Sequence, residues 1–112
     1  MLSLPSRPTA VFACNDEIAA GTLFAARMNN VEVPEELSIA GFEDSPFSRQ
    51  VWPNVTTARQ SNVEVGRSAT KLLIDEIGRR QSNGGGPSPD PAVIGIRPEL
   101  VIRDSTGPVT PQ

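Results

Sequence analysis

The sequence predicts an α/β fold, a three-layer α/β/α arrangement around a parallel sheet, and three observations predict it. Residues 9–13 (TAVFA) and 39–42 (IAGF) are short apolar runs that stop abruptly at polar residues, as strands covered on both faces do. Between them the apolar pattern switches to helical spacing. Strand, helix, strand in that order is a right-handed βαβ unit whose strands pair in parallel.

Each element has a local cause. Residues 1–8 carry two prolines and no period, and read as a lead-in. The run at 9–13 is rich in strand formers. After Cys14, Asn15 or Asp16 can cap a helix whose positive end suits Asp16 and Glu17. Ile18, Ala19, Thr22, Leu23 and Ala26 share one face of that helix, and Asn29-Asn30 tolerates the left-handed exit. Pro34 then breaks the connector, and 39–42 is the second strand, ending at Glu43-Asp44 and the turn signal Ser45-Pro46.

Residues 46–52 are expected to make a helical turn carrying Phe47, Val51 and Trp52, and 55–59 (VTTAR) a third strand. Ser61 and Glu64 match a capping box, opening a helix from Asn62 to about Arg79. Its expected buried stripe is Val65, Gly66, Ala69, Leu72, Leu73 and Ile77, with Gly66 allowing close backbone packing. Residues 81–91 read as a flexible loop, 92–96 and 99–103 as β-prone runs, and 106–112 as a frayed tail.

Composition removes several function classes. The 112 residues carry a formal net charge of -3, and of the ten Lys and Arg only Arg79-Arg80 are adjacent. A phosphate-tracking surface needs clustered positive charge, so direct nucleic-acid binding by this chain is not expected. With no His and a single Cys, the usual general base, the Ser-His-Asp triad and a cysteine-rich metal site are missing, so neither an enzyme nor a metal or cofactor protein is expected. Gly84-Gly85-Gly86 lacks the Lys of a phosphate loop. Cys14 is expected to be a small core residue. No apolar run long enough to span a membrane and no secretory leader is visible, which points to a soluble cytoplasmic protein.

The three strand runs end at Asn15-Asp16, Glu43-Asp44 and Arg59-Gln60. In a parallel sheet those ends share one edge, where open α/β sheets bind ligands. The mixture of carboxylate, amide and guanidinium suits hydroxyl-rich or base-like ligands. Loop polarity and helix capping explain the same residues without a ligand, and Phe47, Val51 and Trp52 read equally as core or as an exposed interface patch.

Five motifs in order carry a resemblance: Asn15-Asp16 opening a helix, Val33-Pro34 before Ser38-Ile39, Gly41-Phe42-Glu43-Asp44, Val55-Thr56-Thr57-Ala58-Arg59-Gln60, and the closing RPELVIRDST at 97–106. Together they resemble the lactose-repressor/galactose-repressor (LacI/GalR) family of bacterial transcriptional regulators, over nearly the whole chain. The resemblance implies a periplasmic-binding-protein-like effector domain, with residues 9–105 as its C-terminal part. It also implies a small-molecule effector, expected to be a carbohydrate, contacted by Asn15, Glu43 and Gln60. Glu43 stands where relatives usually carry Asp, which makes the acceptor one methylene longer, and Asp44 becomes structural. A homodimer is implied through Ala20, Leu23, Phe24, Arg27, Phe47, Val51 and Trp52. DNA would be bound only through a helix-turn-helix that this chain lacks, so the chain is expected to be the last third of a regulator. A transport solute-binding protein shares the fold and is the alternative. The stripe on the long helix is expected to need cover from a second copy or a partner fragment.

Overall fold

The computed structural model describes residues 6–82, 84–86 and 92–108. It divides into two compact units, one made of Met1–Gln60 with Pro98–Gln112 and the other of Ser61–Arg97.

The first unit is a four-stranded sheet with one helix packed on it. Strands β1 (Ala10–Phe12), β2 (Ser38–Phe42), β3 (Thr56–Arg59) and β4 (Glu99–Val101) lie side by side in that order. The first three are parallel, with Val11 opposite Ile39 and Gly41 opposite Thr57. β4 is antiparallel, which an all-parallel expectation does not include. The cause is where the chain re-enters the sheet: Glu99, the first residue of β4, pairs with Arg59, the last of β3, so the strand can only run back.

Helix α1 (Asp16–Met28) covers one face of the sheet and packs on β2. Asn15 is its N-cap, accepting the Ile18 N–H at 2.8 Å. At the other end Asn30 is left-handed (φ 52) and the Val31 N–H closes back on the Ala26 carbonyl at 3.0 Å. The helix buries Ala19, Leu23 and Ala26 against Ala13, Val31, Leu37, Ile39 and Val55, the core of this unit. Ile18, expected on that face, is half exposed at the helix edge.

Several expectations of burial are corrected. Phe12 is 69% exposed and Leu100 66%, because they lie on the sheet face opposite α1. Alternation likewise puts Ala13 inward and Cys14 out into solvent, so Cys14 is not a core residue. Beside α1 lies the short helix α2 (Phe47–Gln50), the expected helical turn. Thr106 and Gly107 are not frayed: the Thr106 hydroxyl is 2.8 Å from that of Thr56, and Gly107 N–H donates to the Ser38 hydroxyl at 3.1 Å.

The second unit holds α3 (Asn62–Ser82), three residues longer than expected at its C-terminal end. Ser61 caps it, its hydroxyl accepting from Glu64 N–H at 3.3 Å. No residue of α3 is buried: Leu73 and Ile77 are 61% and 47% exposed. Gly66 has open space around it and packs closely against nothing. Glu76 carries Arg79 and Arg80 at 2.7 and 2.8 Å, and hydrogen bonds from both hold its carboxyl down at about 2. Residues 92–98 are not a strand. The expected lead-in at 1–5, the loop at 83 and 87–91, and the tail at 109–112 lie outside the described residues.

Candidate functional site

The carboxyl ends of β1, β2 and β3 lie along one edge, because the three strands are parallel neighbours. Asn15 follows β1, Glu43 follows β2 and Gln60 follows β3. All three expected contact residues therefore stand in one row at the sheet edge. Asn15 keeps its side-chain N–H groups available, since only its carbonyl oxygen is used in capping. Glu43 is exposed and Gln60 half-buried, and neither side chain has a hydrogen-bond partner among the described residues.

Glu43 and Asp44 turn the chain sharply out of β2. Both are in the left-handed region, with φ of 103 and 56, which non-glycine residues seldom adopt. Glu43 N–H reaches across to the Ala58 carbonyl at 2.8 Å, so β2 and β3 stay paired up to the turn.

Beneath the row are two carboxylates with different partners. Asp44, its side chain 5% exposed, accepts from Arg59 Nε at 2.7 Å, Arg103 at 2.5 Å and the Ser48 hydroxyl at 3.2 Å. Burial alone would raise its pKa, but the hydrogen bonds from Arg103 and Arg59 outweigh it and hold the carboxyl at about 2. Arg103 also donates to the Val55 carbonyl at 2.8 Å, and Arg59 reaches Glu99 at 3.2 Å. Both guanidiniums at this edge are thus ion-paired, Arg103 largely buried and Arg59 still 46% exposed. Asp16, fully buried, accepts from Ser45 N–H at 2.7 Å and from the Thr57 hydroxyl at 2.6 Å. The groups of the row without an ion-pair partner are therefore amides and one carboxylate, an array suited to reading hydroxyls. Among the described residues no group of His, Cys, Asp and Glu could hold a metal ion.

Sequence reading missed Asp16 and Arg103 in these roles. A signal for Asp16 was present in Gly41, since a glycine inside a strand run marks a close approach. A Cβ there would overlap Asp16 Oδ1. Arg103 had none, as it is 59 residues from Asp44 in the chain.

Along α1, Ala20, Leu23, Phe24 and Arg27 line a groove of about 250 Å³ with Gln50, Val51 and Trp52. Phe24 and Trp52 are 68% and 70% exposed, and Phe47, outside the groove, is 43% exposed.

Residues 1–106 match the family described as the periplasmic binding protein-like domain. The chain belongs to that family. Its relatives within the family are LacI-type regulators, as the five motifs imply. The HTH-type transcriptional repressor PurR of Mannheimia succiniciproducens is 37% identical over 105 residues, 94% of this chain and 29% of the relative. The HTH-type transcriptional repressor CytR of Escherichia coli is 38% identical over 106 residues, 95% of this chain and 29% of the relative. A solved LacI family transcriptional regulator from Lactobacillus casei with bound sucrose superposes with a TM-score of 0.70 at 28% identity, covering 94% of this chain and 36% of that one. This periplasmic binding protein-like chain thus spans under a third of the length of the curated relatives it matches. Those relatives are regulators rather than enzymes, and no described helix is long and apolar enough to cross a membrane.

Proposed function

We propose that this chain is the effector-sensing and dimerisation portion of a LacI-type transcriptional regulator. Its effector is a neutral, sugar-like molecule contacted by Asn15, Glu43 and Gln60. The observation that carries the reading is the row itself: three polar strand ends at the carboxyl edge of a parallel sheet, with both nearby guanidiniums already paired. Glu43 adds an uncompensated acceptor, which favours hydroxyl donors and disfavours phosphorylated or acidic ligands. The bound sucrose of the Lactobacillus casei regulator is a ligand of that chemistry. DNA is engaged in cytoplasm through a helix-turn-helix of the kind that the relatives' names declare, not through these residues.

Titrating sucrose and glucose into the protein while following backbone amide resonances tests the site. Binding near millimolar or weaker is expected, because a single open row buries little ligand surface. Shifts should concentrate at Asn15, Glu43 and Gln60 and disappear in Glu43→Gln. Shifts confined to other regions would count against the site.

The dimer surface is the face of Ala20, Leu23, Phe24, Arg27, Phe47, Val51 and Trp52. Support comes from the exposure of its two largest side chains and from the groove between them. In sedimentation, Phe24→Glu should convert a dimer to a monomer, and a wild-type monomer across the accessible concentrations would remove the proposal.

A further inference from the structure

The open groups of the row rest on backbone that is held from below, and the holding group at its centre is Asp16. It is the first residue of α1, where an acidic side chain ordinarily caps the helix or faces solvent near its positive end. Here Asn15 does the capping. Asp16 is instead fully buried, and both of its oxygens leave the helix. Oδ2 accepts from Ser45 N–H in the β2 exit turn, and Oδ1 accepts from the Thr57 hydroxyl on β3. One carboxylate therefore ties together the three elements that carry Asn15, Glu43 and Gln60. The missing side chain of Gly41 is what admits it between α1 and β2.

The turn that Asp16 grips is the strained one. Two successive non-glycine residues with positive φ are sterically costly, and persist only where their surroundings over-determine them. The Ser45 N–H bond to Asp16 closes the turn at its far end, and the Thr57 hydroxyl lies 3.4 Å from Asp44 N at its centre.

We infer that Asp16 is a positioning residue of the effector site. It meets no ligand itself. It keeps Glu43-Asp44 left-handed and so sets where the Glu43 carboxylate stands relative to Asn15, its own neighbour in the chain. The inference rests on the proposed function for the ligand contacts, but its effect on the turn is independent of any ligand.

The test uses the full chain with Asp16→Ala, Asp16→Asn, Thr57→Val and Glu43→Gln. The strong intraresidue amide-to-α-proton NOE of a positive φ is followed at Glu43 and Asp44. Stability is measured separately in urea, and sucrose is titrated by amide shifts. Asp16→Ala strands two donors. It should abolish the positive-φ signature at both residues and weaken the sucrose response about tenfold, the scale of one lost hydrogen bond. Asp16→Asn should restore most of both, since its oxygen can still accept from Ser45 while the Thr57 hydroxyl turns to accept from the new amide. Thr57→Val removes one strap without emptying the volume, so it reads the same signals if Asp16→Ala does not fold. Loss of stability with the turn signature unchanged in Asp16→Ala or Thr57→Val overturns the inference. A sucrose response unmoved by Glu43→Gln overturns the ligand site instead, and the turn signature then decides the role of Asp16 alone.

Discussion

Helices α1 and α3 both present an apolar stripe at helical spacing, yet only α1 is buried by anything. α1 sinks Ala19, Leu23 and Ala26 into a core with Leu37, Ile39 and Val55, whereas the longer α3 buries no residue. Their ion pairs differ in the same way. Asp44 has a side chain 5% exposed among Arg59, Arg103 and Ser48, while Glu76 shares Arg79 and Arg80 on an open helix surface at 29% exposure. Both carboxyls are held at about 2. Periodicity thus states which face a helix can bury, but not how much energy follows, because that depends on what excludes water.

The largest expected difference lies in the cores. Ile39→Ala should cost about 2–5 kcal/mol in urea unfolding, as a fully buried side chain leaves a cavity behind. Leu73→Ala on α3 should change stability by no more than about 0.5 kcal/mol. A cost from Leu73→Ala approaching that of Ile39→Ala would mean that α3 is covered in solution.

Acid should separate the two carboxylates next. The native pKa of Asp44 lies below its ordinary value of 3.8, at about 2, so its contribution is complete above pH ~4 and lost as pH falls towards 2. At 1.36 kcal/mol per pH unit that is about 2 kcal/mol for a buried group. Asp44→Asn should flatten the stability profile between pH ~4 and ~2. Glu76→Gln should leave it almost unchanged, because water screens an exposed pair. A flatter profile in Glu76→Gln would reverse the assignment.

The smallest effect is a gain. Gly66 sits inside α3 with open space where a Cβ would go, so Gly66→Ala should add about 1 kcal/mol of helix stability, read as helicity in circular dichroism. A loss would place a close neighbour over Gly66.

Much of the local structure was legible in the residues. A cap of α1 at Asn15 or Asp16, a left-handed exit at Asn29-Asn30, the turn at Ser45-Pro46 and the Ser61 cap of α3 all follow from local backbone chemistry, and the structure selects Asn15 and Asn30. The row of polar strand ends was legible too, given strands that are parallel neighbours, while the choice of Asn15, Glu43 and Gln60 within it came from the resemblance. Less legible were the groups beneath the row, since Asp16 meets Ser45 and Thr57, and Arg103 meets Asp44, across 29 to 59 residues of chain, and each has a local explanation that conceals its partner.

By itself, then, the sequence determined the α/β order, the approximate place of each main strand and helix, the shared edge of the polar strand ends, and the family. These depend on short-range chemistry or on motifs that can be recognised residue by residue. Only the tertiary structure decided that β4 runs backwards, that Phe12, Cys14 and the α3 stripe face solvent, and that Asp16 and Asp44 carry the sheltered carboxylates while Glu43 is exposed. Burial is a property of what lies across from a residue, and an apolar pattern names the face without naming its cover.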